Sequence, residues 1–101
     1  ARAVYYQSIE EAWLAAETGE RVSIEQRRDI RLATTHAVEA SIKTVNAMYT
    51  LGGGSVVYAD SPLQRHLRDV HVTSQHIMVA PSTLETVGRL YLGVDAQTST
   101  L

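Results

Sequence analysis

The sequence predicts an all-α fold, an up-and-down four-helix bundle forming one domain over residues 1–101. Three observations carry this. Gly19, the glycines at 52–54, Pro62, Pro81 and Gly93 punctuate the chain, and the stretches between them read as helices. Apolar residues in those stretches recur at three- and four-residue steps. No stretch alternates convincingly at period two; only "SVVYA" at 55–59 could be extended.

The first segment, residues 2–18, places Val4, Ile9, Ala12, Trp13 and Ala16 on one face. Gly19 ends it, because glycine takes the left-handed conformation without a Cβ clash. The second segment opens on a capping box, Ser23 with Gln26 three residues later. It is expected to run to about Leu51, roughly 42 Å at 1.5 Å per residue. Ile30, Ala33, Ala37, Ser41, Thr44, Met48 and Leu51 form its main stripe, flanked by Leu32, Val38, Ile42 and Val45. A wide stripe rich in small residues suits a helix packed closely on more than one neighbour. His36, beside Ala33 and Ala37, is expected to be a packed core histidine.

Asp60 or Ser61 can cap the third helix, and Pro62 fits its first position, where no N–H is needed. Leu63, Leu67, Val70, Ser74 and Ile77 are expected to bury it. Pro81 interrupts. Ser82 then caps a last helix with Leu84, Val87, Leu90 and Tyr91 inward and Gly93 at its end. The tail "VDAQTSTL" is polar and expected to be loose in isolation.

Composition narrows the function. The net charge is -2, which gives no strong field toward nucleic acid or an anionic membrane. No apolar run approaches the ~20 residues that span a bilayer. No cysteine is present, which excludes disulfides and thiol nucleophiles and favours an intracellular, cytoplasmic setting. The start "ARAVYYQSIEEAW" has no signal-peptide pattern and begins inside a helix, so a longer protein is expected. One helix this long in so short a chain also leaves apolar surface for partner domains or subunits to cover.

Polar residues concentrate in "SPLQRHLRDVHVTSQH" at 61–76. His66, His71 and His76 are five residues apart, so each ring turns about 140° from the last on a helix and no metal site is expected. Arg65, Asp69, Val72 and His76 share a helical face. That spacing admits two readings: an ion pair on a solvated face, or a site in which Asp69 or Arg68 orients His76 for proton transfer. "LGGGS" at 51–55 matches neither phosphate-binding glycine signature, and reads as a helix-ending loop, a hinge or an anion contact. No serine lies in a G-x-S-x-G context. Trp13 and the five tyrosines are assigned to packing.

The order of these motifs, "AMYTLGGGSVVY", then "SPLQRHLRDVH", then "TSQHIMVAPSTLETVGRLYLG", resembles the C-terminal helical domain of the acyl-CoA dehydrogenase superfamily. Within it, the chain is similar to the branch of two-component, reduced-flavin-dependent monooxygenases, which includes aromatic, steroid and dibenzothiophene hydroxylases and N-hydroxylases. The resemblance implies N-terminal and middle domains of the same polypeptide, a homotetramer, and a flavin held between domains. It makes Gly52, Gly53, Gly54 and Ser55 candidate cofactor contacts, approaching the flavin of a neighbouring subunit, and makes Arg68 and Asp69 a structural pair. Dehydrogenases of the superfamily often carry a glutamate base in a Tyr-Glu-Gly-Thr-like motif soon after the Arg-Asp; here that place reads "SQHIM". His76 stands there instead, which the resemblance makes the candidate catalytic residue. The implied cofactor is reduced FMN or FAD from a separate NAD(P)H-dependent flavin reductase. With O₂ as co-substrate it forms a C4a-hydroperoxyflavin, which oxygenates an aromatic or polycyclic small molecule. The alternatives are an acyl-CoA dehydrogenase with its base elsewhere and a non-catalytic helical oligomerisation module.

Overall fold

The long second helix is the spine of the molecule. In the computed structural model, which describes residues 1–101, the elements are α1 (Arg2–Glu17), α2 (Ile24–Gly52), a 3₁₀ turn (Gly53–Val57), α3 (Pro62–Thr73) and α4 (Ser82–Leu92). The expected all-α helical bundle is present. α1, α3 and α4 each pack on α2, and none packs on another. The bundle is therefore open rather than closed around a common axis.

Local chemistry explains the boundaries of α2. The Ser23 hydroxyl accepts from the Gln26 amide at 3.1 Å, and the Gln26 side chain accepts from the Ser23 amide at 3.0 Å. The capping box is thus complete. Gly53, at φ 59°, ends the helix, and "GSVV" continues as 3₁₀ turn rather than extended chain. Pro62 opens α3 as expected, with Ser61 at the capping position but making no side-chain bond. Pro81, not Ser82, precedes the first turn of α4, and Gly93 closes that helix in the left-handed conformation.

Small residues make the contacts. The buried side chains are Ala12, Ala33, Val56 and Val87, with Ser8 and Thr35. Along α1 the inward line is Tyr5, Ser8, Ala12 and Ala15, stepping by three and four. Of the expected face, Ala12 is buried, while Val4, Ile9, Trp13 and Ala16 are exposed. Ser8 satisfies its own hydroxyl on the Val4 carbonyl at 2.9 Å, so it can sit in a tight seam without an orphaned donor. The large residues turn out, and Trp13 is 64% exposed. His36 is likewise exposed rather than a core residue. The neighbouring Thr35 is the buried one, and its Oγ1 meets Thr83 Oγ1 at 2.7 Å, joining α2 to α4.

The tail is tied down, contrary to the expectation of a loose one. Arg27 donates to the carbonyls of Thr98 and Leu101, and Arg31 to that of Thr100. Even so, the molecule measures 52 × 29 × 17 Å, with a radius of gyration of 16.9 Å against about 13 Å for a compact 100-residue domain. No helix is long and apolar enough to cross a membrane.

Candidate functional site

The glycine loop is built by packing on one side and openness on the other. Val56 is 3% exposed, and its carbonyl accepts from the Gln64 side chain at 2.6 Å, which pins the turn to α3. A Cβ at Gly52 would run into Val56 Cγ1 and stand 3.2 Å from Leu63 Cδ1. Gly52 is therefore glycine because the chain folds back over it. Gly53 is glycine because its φ is positive. Around Gly54 nothing lies within 4 Å of a Cβ position, so its backbone is open to approach. The Ser55 hydroxyl is already engaged, donating to the Gly52 carbonyl at 2.7 Å.

His76 does not continue α3. The helix ends at Thr73, where the Ser74 hydroxyl takes the His71 carbonyl at 2.6 Å and the Gln75 amide turns instead to the Val72 carbonyl at 3.1 Å. Such local bonds compete with helical propagation. Residues 74–80 form turns, closed by the amides of Val79 and Ala80 on the His76 carbonyl at 2.9 and 3.0 Å. The shared face of Arg65, Asp69, Val72 and His76 therefore does not form. Ile77, expected in the buried stripe, is 66% exposed for the same reason.

Asp69 instead pairs with Arg65 at 3.5 Å and with Arg68 at 3.8 Å, all three side chains exposed. Neither Asp69 nor Arg68 orients the histidine. The His76 ring is exposed and held by backbone: its Nδ1 accepts from the Met78 amide at 3.2 Å, while Nε2 has no partner within the chain. His71 faces α2 and meets Asn46 Oδ1 at 3.2 Å. The histidines thus point to different surroundings, and no cluster of three metal-ligating side chains occurs.

α3 separates the loop from His76. Its 12 residues span about 18 Å. Within one chain, Gly52, Gly53, Gly54 and Ser55 share one end of α3, and His76 lies beyond the other.

One charged cluster has no counterpart among the sequence motifs. Arg28 Nε meets Asp29 Oδ1 at 2.8 Å, the Tyr91 hydroxyl donates to that same oxygen at 2.8 Å, and the guanidinium lies 3.8 Å from the Tyr91 ring centre. The Arg28 hydrogen bond holds the Asp29 carboxyl below its usual range, against partial burial, with Tyr91 adding to the effect. Asp29 in turn pushes the Tyr91 phenol up. An Arg-Asp dipeptide and a tyrosine 62 residues away carry no pattern that links them. A shallow groove of about 510 Å³ also opens between the start of α1 and the middle of α2, lined by Arg2, Tyr5, Tyr6, Ala37, Ser41 and Val45 among others. It holds no group suited to proton transfer near neutral pH.

Fold and motif order together define the class. The family model for the acyl-CoA dehydrogenase C-terminal domain matches residues 1–81, and the chain belongs to that family. Among proteins of known activity, it is similar to the indole-3-acetate monooxygenases of Pseudomonas putida, 32% identical over 92% of this chain, and of Acinetobacter baumannii, 31% identical over 93%. It is also similar to a pigment production hydroxylase of Rhodococcus erythropolis, 31% identical over 96% of the chain. The chain spans about a quarter of the length of each of these relatives. Its fold matches the crystal structure of a 3-HSA hydroxylase from a Rhodococcus species, with a TM-score of 0.80 over 98% of this chain and 29% of that one, at 22% identity. The chain is thus homologous to monooxygenases and hydroxylases within the acyl-CoA dehydrogenase superfamily.

Proposed function

We propose that the chain is the C-terminal domain of a reduced-flavin-dependent monooxygenase acting on an aromatic or polycyclic small molecule. The observation that carries the reading is the turn at 74–78. It presents an exposed imidazole with a free Nε2 and contains no carboxylate. Dehydrogenation would require a base there or elsewhere to take a proton α to the thioester. Oxygen transfer asks instead for a neutral hydrogen-bond donor, which an imidazole whose Nδ1 is already occupied as an acceptor provides at Nε2.

The residues fit a flat ring cofactor. Gly54 leaves room for close backbone approach, and Gly53 turns the chain without a side chain in the way. Gly52 supports the loop from beneath and Ser55 braces it. When bound, a reduced flavin supplies the electrons that activate O₂ and delivers one oxygen atom to the substrate. The protein's part is to orient the ring against the loop, to exclude water, and to hold a proton at His76 Nε2. The ~18 Å of α3 between loop and histidine favours an assembly in which the loop of one subunit serves a neighbour's flavin. A homotetramer in the cytoplasm, with the upstream domains of its own chain and a separate NAD(P)H-dependent reductase as partners, completes the reading.

The test uses the full-length protein with a flavin reductase, NADH, O₂ and indole-3-acetate as the first aromatic probe. Hydroxylated product should form, and His76→Ala should divert most of the oxygen to H₂O₂. Acyl-CoA turnover with an artificial electron acceptor, in the absence of reductase and O₂, would overturn the reading. So would unchanged coupling in His76→Ala.

A further inference from the structure

The turn that carries His76 is only partly anchored by apolar packing. Ile77 is 66% exposed, while Met78, 36% exposed, lines a small cleft with Ile30 and Leu101. Hydrogen bonds therefore share in setting its shape. The one side chain that reaches its backbone from another helix is Arg31 of α2. Its Nη1 donates to the Met78 carbonyl at 2.6 Å, and its Nη2 donates to the Thr100 carbonyl at 2.7 Å. The amide of that same Met78 donates to Nδ1 of His76 at 3.2 Å. The two bonds use the two ends of a single residue's backbone.

The chemistry of the second bond restricts the ring. A nitrogen that accepts cannot carry a proton, so the ring proton sits on Nε2, and that nitrogen faces outward as a donor. The first bond is charge-assisted, and such bonds are roughly twice as strong as neutral ones. A guanidinium also spans two acceptors in a fixed fork, which an ammonium cannot. Arg31 thereby ties three segments together: α2, the histidine turn and the C-terminal tail.

We propose that Arg31 is a positioning residue for His76: its grip on the Met78 carbonyl fixes the amide that holds Nδ1, so that Nε2–H is presented to the reacting molecules. The proposal rests on the reading of His76 as the working histidine. It does not make Arg31 a catalytic residue, because Arg31 touches only backbone carbonyls.

The test compares Arg31→Ala, Arg31→Lys and His76→Ala in the full-length protein. Amide hydrogen exchange is read at single-residue resolution across 74–80. In wild type the Met78 amide should be protected. Arg31→Ala should speed its exchange at least tenfold, to near the level of His76→Ala, and should loosen the Val79 amide, which shares a planar peptide with the gripped carbonyl, while Ala80, bonded to the His76 carbonyl, keeps its protection. Arg31→Lys, which keeps the charge but lacks the fixed fork, should restore part of the Met78 protection. In the reductase-coupled assay, Arg31→Ala should raise the H₂O₂ released per O₂ consumed toward the His76→Ala value, and Arg31→Lys should fall between.

Met78 exchange within twofold of wild type in Arg31→Ala would overturn the proposal. Equal loss of protection at Met78 and Ala80 would also overturn it, since Arg31 would then only support the fold. If His76→Ala leaves coupling at wild-type level, the functional reading falls, while selective loss at Met78 in Arg31→Ala still supports the grip of Arg31 on the ring.

Discussion

Replacing Gly52 by alanine sets two effects of opposite sign against each other. Gly52 has helical φ and ψ of -65° and -18°, so alanine there gains backbone entropy worth about 0.5–1 kcal/mol in a helix interior, and less at a helix end. Against this, the new methyl overlaps Val56 Cγ1 and crowds Leu63 Cδ1 at 3.2 Å. Val56 is buried and β-branched, so it has one favoured rotamer and little space to turn. Overpacking of this kind costs about 1–3 kcal/mol. The overlap wins, and Gly52→Ala should destabilise by about 1–2 kcal/mol. Urea unfolding of the full-length protein, followed by far-ultraviolet circular dichroism, should show a lower midpoint at unchanged slope. Gly54→Ala is the partner experiment. With no atom near the new methyl, it should unfold within about 0.5 kcal/mol of wild type yet bind reduced flavin about tenfold more weakly. A Gly52→Ala protein as stable as wild type would refute the packing role. A Gly54→Ala protein with wild-type flavin affinity would refute the open-backbone contact.

Other expectations follow from single contacts. Thr35→Val leaves the Thr83 hydroxyl without its partner and should cost about 1–2 kcal/mol, and the Thr35→Val, Thr83→Val double variant should recover much of that loss, as read by the same unfolding midpoint. Tyr91→Phe removes the bond to Asp29 but keeps the ring over Arg28, so it should cost about 0.5–1.5 kcal/mol at neutral pH. Because Asp29 has a folded pKa below its ordinary value of 3.8, its contribution is fully present above that pH and is lost as the pH falls through the lowered value. A pH series of unfolding midpoints should therefore show an acid limb that flattens in Asp29→Asn. Arg27→Ala should free the tail, seen as faster proteolysis after Gln97, because Arg27 binds the carbonyls of Thr98 and Leu101.

Helix existence was legible in the sequence, and helix partnership was not. Gly19, Gly53 and Gly93 all adopt positive φ, and Ser23 with Gln26 forms its capping box, because these are local requirements that a few adjacent residues decide. The inward faces are decided by what lies opposite. Periodicity puts Ala12 inside α1 correctly but Trp13 and Ile9 with it; close approach to α2 selects Ser8 instead, whose small size a hydrophobicity pattern undervalues. Likewise Thr35, rather than His36, took the buried place on α2, since only a small hydroxyl can reach Thr83 across the α4 seam. At the candidate site the failure was one of length. Extending α3 to His76 aligns it with Asp69, yet the helix ends one turn sooner, where the Ser74 hydroxyl takes the His71 carbonyl. The long-range arginine contacts to carbonyls leave no mark on a sequence, because any residue can supply a carbonyl.

The outward apolar residues have a physical consequence for assembly. A folded monomer of 11.1 kDa exposes about 5,700 Å², whereas this chain exposes 7166 Å², an excess of about 1,500 Å². Specific interfaces remove about 800 Å² from each partner, so the excess matches roughly two such contacts. The exposed groups are not evenly spread. Ile9, Trp13 and Leu14 crowd the outer side of α1, and Met48, Leu51, Val57 and Tyr58 crowd the end of α2 and its loop. The second of these patches flanks the glycines, so whatever covers it also meets the open backbone of Gly54. The open bundle thus leaves its glycine loop beside an uncovered apolar patch. The length of α3, about 18 Å, stands between that loop and His76, so the two lie at opposite ends of one helix.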